Sequence, residues 1–92
     1  MNKEQSNGVV LALLEQLNDH HIPRLLKLKE KVEDGSRLDD YDLRFLKDAI
    51  SVAEEEKDLI HQHPELNELA GQLYHLYNLI TDQAIVNERD NG

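Results

Sequence analysis

Hydrophobic residues recur every three or four positions along nearly the whole chain, which is the spacing of one face of an α-helix. No strand-like alternation of apolar and polar residues persists. The sequence therefore predicts an all-α protein with a single domain over residues 1–92. Its helices are expected at 9–34, 40–62 and 64–87, between frayed termini at 1–7 and 88–92. The first stripe keeps its phase for about six turns and comprises Val10, Leu14, Leu17, His21, Leu25, Leu28 and Val32.

Local signals mark where these helices begin and end. Gly35 suits the left-handed residue that follows a helix C-terminus. Asp39 is typical of an N-cap, with further carboxylates in the first turn after it. Pro64 fits the first position of the third helix. Because both connections are short, neighbouring helices should run antiparallel, which predicts a small antiparallel three-helix bundle.

Pro23 lies in the middle of the first predicted helix. An interior proline loses a backbone hydrogen bond and clashes with the preceding turn, at a cost of about 3 kcal/mol. A split there would normally reset the phase of the apolar stripe, yet the phase survives, and Ile22 is a poor N-cap. We therefore expect one helix kinked at Pro23. The alternative is four helices, with the first divided at that residue.

The charge pattern supports the antiparallel arrangement. The end of the first helix is rich in basic residues, and antiparallel packing brings it towards the acids that open the second helix. The basic residues are Arg24, Lys27, Lys29 and Lys31, and the acids are Asp39, Asp40 and Asp42.

The overall composition excludes several classes of function. The net charge of −9 argues against binding to nucleic acid or to an anionic membrane surface, where basic residues supply the affinity. The absence of cysteine excludes disulfides and thiolate chemistry, and it suits a reducing compartment. The apolar run from Val9 to Leu14 is too short for a signal peptide or a membrane span. We expect a cytoplasmic protein.

Two histidines form the best candidate for a metal site. If the first and third helices start at the same end, His21 and His75 lie at about the same height, within roughly 3 Å. Together with Glu56 or Asp19 they would make a metal-binding alternative. The ordinary interpretation is a core-edge histidine whose ring bonds the carbonyl oxygen of Asp19, which loses its helical partner at Pro23.

The sequence offers no other recognisable site chemistry. It lacks a Glu-x-x-His motif, a nucleophile-elbow serine and a glycine-rich phosphate loop. We therefore predict a protein that is not an enzyme and has no cofactor.

The apolar surface is larger than three short helices need. Residues 9–14 are apolar nearly all the way round the helix, and Gly71 in the third helix would allow another helix to approach closely. These features predict a homodimer and a non-enzymatic protein–protein interaction or oligomerisation module. An acidic mimic of nucleic acid is a further alternative, based on charge alone. The expected interface residues are Val9, Val10, Leu13, Leu14, Leu17, Tyr74 and Tyr77.

Overall fold

Helices are the only regular secondary structure in the part of the chain that the structure describes. This structure, a computed structural model, describes the backbone of residues 2–91 and the side chains of residues 8–90. The all-α prediction is confirmed, and no strand occurs within residues 2–91. The elements are α1 (Asn2–Glu15), a π-helical turn (Gln16–His21), α2 (Ile22–Glu33), α3 (Asp40–Glu55), α4 (Lys57–Gln62) and α5 (Pro64–Asn91).

The chain passes through Pro23 without leaving helical geometry, because the turn before the proline widens into a π-helix. The backbone N–H of Ile22 donates to the carbonyl oxygen of Leu17, five residues earlier instead of four. A regular α-helical turn would press the proline ring against the carbonyl four residues before it, and the wider turn relieves that clash. α1, the π-helical turn and α2 thus form one uninterrupted N-terminal rod over residues 2–33.

The buried positions of the rod differ from the predicted stripe at one residue. Leu13 is only 5% exposed and Leu14 is half-buried, although the sequence pattern placed Leu14 on the stripe. The buried positions are therefore spaced 3-4-4-4-3-4, one residue more than a regular alternation of threes and fours. Their mean spacing of about 3.7 residues is close to the 3.6 residues of a helical turn, so they stay on one face of the rod. They are Val10, Leu13, Leu17, His21, Leu25, Leu28 and Val32.

The connection between α2 and α3 is fixed by backbone caps at both ends. Gly35 has φ +89°, and its N–H donates to the carbonyl of Val32 while that of Ser36 donates to the carbonyl of Lys31. This is a Schellman motif, and it confirms the left-handed glycine expected after the first helix. At the start of α3, Asp39 and Asp42 form a reciprocal capping box.

A partly buried ion pair ties the end of α2 to this capping box. Nζ of Lys31 lies 2.6 Å from Oδ2 of Asp42 and 3.7 Å from Oδ2 of Asp39. The hydrogen bond to Asp42 is the main reason that the pKa of Lys31 is raised. The contact predicted between the basic end of the first helix and the acids of the second is therefore confirmed.

The second predicted helix is interrupted once, at Glu56. This residue has φ −103° and ψ 17° and separates α3 from α4, within the range 40–62 that was expected to be one helix. Three consecutive glutamates, residues 54–56, occupy this position. Carboxylates are unfavourable at a helix C-terminus, where the helix dipole is negative, so the dipole opposes this interruption and does not account for it.

The last turns of α5 are held against the α2–α3 connection. Asn87 is 3% exposed, and its Nδ2 donates to the carbonyl oxygens of Val32 at 2.8 Å and Ser36 at 2.9 Å. Nε2 of Gln83 donates to Oδ1 of Asn87. These contacts explain why α5 continues to Asn91 beyond the predicted end at 87.

These contacts also define the directions of the helices. α5 runs alongside the N-terminal rod in the same direction, because its start borders Leu14 and Asn18 and its end bonds Val32. α3 runs opposite to α2. The molecule measures 55 × 18 × 18 Å. None of the described helices contains a stretch long and apolar enough to cross a membrane.

Candidate functional site

The residues predicted to form an interface divide into buried and exposed groups. Leu17, Leu13 and Val10 are 0, 5 and 8% exposed within their own chain. Leu14 and Tyr77 are partly buried against the same core. Val9 and Tyr74, at 50 and 36% exposure, present their side chains to solvent. Of the predicted set, these last two offer the most surface to a partner.

Further apolar side chains are exposed on the outer faces of the helices, away from the buried stripes. Their exposed fractions range from 39 to 59%. A helical projection of the sequence would have found them, because each is apolar but lies off the buried stripe. They are Leu11, Leu26, Leu43, Leu79, Ile85 and Val86.

An apolar groove lies between the start of α3 and the end of α5. It has a volume of about 470 Å³ and includes Leu43 and Ile85, which are 52 and 54% exposed. Leu38 and Ala84 add to its apolar lining, and Thr81, Asp40 and Glu88 supply polar edges. Ile85 and the adjacent Val86, which is 42% exposed, extend this apolar surface along α5.

Tyr74 lies at the border between α5 and α3. Burial raises the pKa of its phenol, and the nearby Glu54 carboxylate raises that pKa further. The ring therefore stays neutral and presents an apolar face beside a polar edge, as interface tyrosines do.

His21 is buried in the π-helical turn, at 7% exposure, and its Nδ1 has no hydrogen-bond partner. Its ring contacts Phe45 of α3 at a centroid distance of 5.7 Å, and the Arg24 guanidinium stacks on that phenyl ring at 4.6 Å. The expected bond from the His21 ring to the Asp19 carbonyl does not form through Nδ1. Burial lowers the pKa of His21, the charge of His20 lowers it further, and Asp48 opposes both.

The lowered pKa of His21 predicts a loss of stability on mild acidification. The unfolded chain takes up a proton near the ordinary pKa of 6.5, whereas the folded chain does so only at lower pH. The free energy of unfolding should fall from about pH 7.5 to 5.5, by at most about 1.4 kcal/mol per pH unit from this residue. His21→Leu should remove this slope in urea unfolding experiments. His61→Leu, at an exposed position of α4, should keep it, and an unchanged slope in His21→Leu would contradict the prediction.

The structure does not show a metal cluster in the described chain. His75 is exposed, whereas His21 is buried against Phe45. Over the described residues, no group of three or more histidine, aspartate or glutamate side chains is arranged to hold a metal ion. Glu56 marks the interruption between α3 and α4, and Asp19 is exposed.

No protein-family model, curated protein or solved structure matches this chain. The fold places the chain in the all-α class of proteins. Exposed apolar side chains lie along its last helix.

Proposed function

We propose that this chain is a non-enzymatic oligomerisation module, a small antiparallel three-helix bundle that works as a homodimer and presents apolar surface to protein partners. The N-terminal rod, the α3–α4 pair and α5 supply its three helical layers. Exposed apolar residues on α1 and α5, including Val9 and Tyr74, supply the interaction surface. A chain with a net charge of −9 would take protein partners in the cytoplasm in preference to polyanions.

The observation that carries this proposal is the large exposed area of the single chain. Its accessible surface is 6388 Å², whereas a compact monomer of 10.6 kDa should expose about 5,500 Å². The radius of gyration, 14.9 Å, likewise exceeds the value of about 12 Å expected for this length. The excess of about 900 Å² goes with the elongated shape, and it leaves room for a standard interface, which takes roughly 800 Å² from each partner.

The test is the mass of the untagged protein by sedimentation equilibrium and native mass spectrometry. We expect a species of twice the chain mass of 10.6 kDa that dissociates on dilution, since dimerisation depends on concentration. A monomer at every concentration up to about 100 µM would refute the homodimer.

The other functions that the sequence raised predict different results. A metal protein using His21 and His75 would retain one or more ions per chain. An acidic mimic of nucleic acid would bind basic proteins in a salt-dependent way. Neither has a supporting contact among the described residues, so both stay predictions.

A further inference from the structure

The outer face of α5 is unusually poor in charge for this protein. Residues 69–81 contain no aspartate, glutamate, lysine or arginine, although such residues make up 32% of the chain. Charged residues on this face flank the neutral stretch: Glu68 before it, and Asp82 and Arg89 after it. All three are exposed. A second acidic chain can approach this stretch with less electrostatic repulsion than it would meet at a charged face.

The intramolecular packing of the described chain leaves this face open. A Cβ atom built onto Gly71 meets nothing within 4 Å. The ion pairs among the described residues use Lys29, Lys31 and Arg37 as their cations, so Glu68 and Arg89 have no such partner within the described chain.

When two copies of α5 are aligned antiparallel, residues of opposite charge on this face lie opposite each other. If two copies of α5 lie antiparallel with their centre between Asn78 and Leu79, Glu68 lies level with Arg89 of the second copy. By the same count, His75 lies level with Asp82. Each contact occurs twice, as a two-fold symmetric interface requires.

The same register places small residues opposite large ones. Gly71 lies level with Val86, so the position without a side chain faces an exposed valine, and the two helices can approach closely. Helices packed at an angle of about 20° keep such contacts over several turns, at an axial distance of about 8 to 10 Å. Leu79, which is 39% exposed, then lies beside its own copy.

We propose that the outer face of α5 is the surface that binds a second copy of this chain, with the two α5 helices antiparallel about Asn78 and Leu79. This inference rests on the proposed homodimer and specifies its interface. The Glu68–Arg89 and His75–Asp82 contacts set the register, and Leu79 and Val86 supply apolar area at the centre and flanks.

A charge exchange at the flanking pair tests this register. Arg89→Glu places two carboxylates opposite each other at both ends of the interface, so the dimer should dissociate about five- to thirtyfold more readily. The double variant Glu68→Arg/Arg89→Glu should restore the affinity. Residues 68 and 89 are about 31 Å apart along one helix, so recovery requires contact between chains. Arg44→Glu makes the same change at an exposed position of α3, and at about 0.15 M salt it should alter the affinity no more than about twofold.

Disulfide formation at the centre of the interface gives an independent test. The chain contains no cysteine, so Asn78→Cys introduces a single thiol close to the two-fold axis. Mild oxidation should link most of this variant into covalent dimers, because the two Cα atoms would lie within the roughly 4.4 to 6.8 Å that a disulfide allows. Lys47→Cys, at an exposed position of α3, should stay mostly unlinked.

The outcomes separate the interface from the proposed function. A dimer with neither recovery in the double variant nor linkage of Asn78→Cys would overturn the α5 interface and leave the oligomerisation module standing. A monomer at all concentrations would overturn both. Linkage together with recovery would support both.

Discussion

Deletion of Lys27 is expected to lower the free energy of unfolding by at least about 4 kcal/mol. A double variant that lacks His20 and carries Pro23→Ala should change the free energy of unfolding by no more than about 1 kcal/mol. Both deleted residues are exposed, so the difference comes from the phase of the helix. Loss of Lys27 rotates Leu28 and Val32 by about 100° away from the core.

Loss of His20 has the opposite geometric effect, because the π-helical turn already contains one residue too many for an α-helix. Its removal leaves the buried positions spaced 3-4-3-4-3-4, a mean of about 3.5 residues, so they still follow one face of a continuous α-helix. The single deletion that retains Pro23 should still cost about 3 kcal/mol, since the proline would then meet an α-helical carbonyl.

Urea unfolding followed by circular dichroism measures these differences. Recovery of stability when Pro23→Ala is added to the His20 deletion would support the role of the π-helical turn. Equal destabilisation by the Lys27 deletion and by the double change would contradict it.

Asn87→Ala is expected to lower the free energy of unfolding by about 2 to 4 kcal/mol. The side chain is 3% exposed and donates to two carbonyls at the end of α2. Alanine would leave the Ser36 and Val32 carbonyls without this donor, and Gln83 without its acceptor.

The matched control for this change is Asn67→Ala, which makes the same substitution at an exposed position of the same helix. Surface substitutions of this kind stay within about 0.5 kcal/mol. Similar stabilities of the two variants would show that the Asn87 contacts do not hold α5 to the α2–α3 connection.

Several features of the fold could be predicted from the sequence because their causes are local. Asp39 and Gly35 define helix ends through hydrogen bonds that span only a few residues. The helical spacing of leucines indicates which faces are buried, because the period of the helix is the same in every protein. The approach of the basic end of the first helix to the acids that open the second was predicted from the antiparallel direction of the helices, and the Lys31–Asp42 contact confirms it.

The candidate interaction surface was only partly predictable. Val9 and Tyr74 were expected at an interface and are exposed, whereas Leu17 was expected there and is fully buried within its own chain. A sequence identifies apolar residues but does not divide them between the core of one chain and its surface. That division depends on which helices pack together.

The sequence by itself determined the all-α class, the helix caps and the stretch of α5 without charge. Only the structure showed that the chain widens at Pro23 and does not break there. The tertiary structure also decided that Leu13 is buried in preference to Leu14 and that Asn87 bonds Val32, 55 positions away. Caps and helical periods arise from interactions within a few residues, so they can be recognised in a sequence. A proline inside a helix can be accommodated by a break, a kink or a wider turn, and its local pattern does not choose among them. An amide that reaches a distant carbonyl depends on where the neighbouring helices lie.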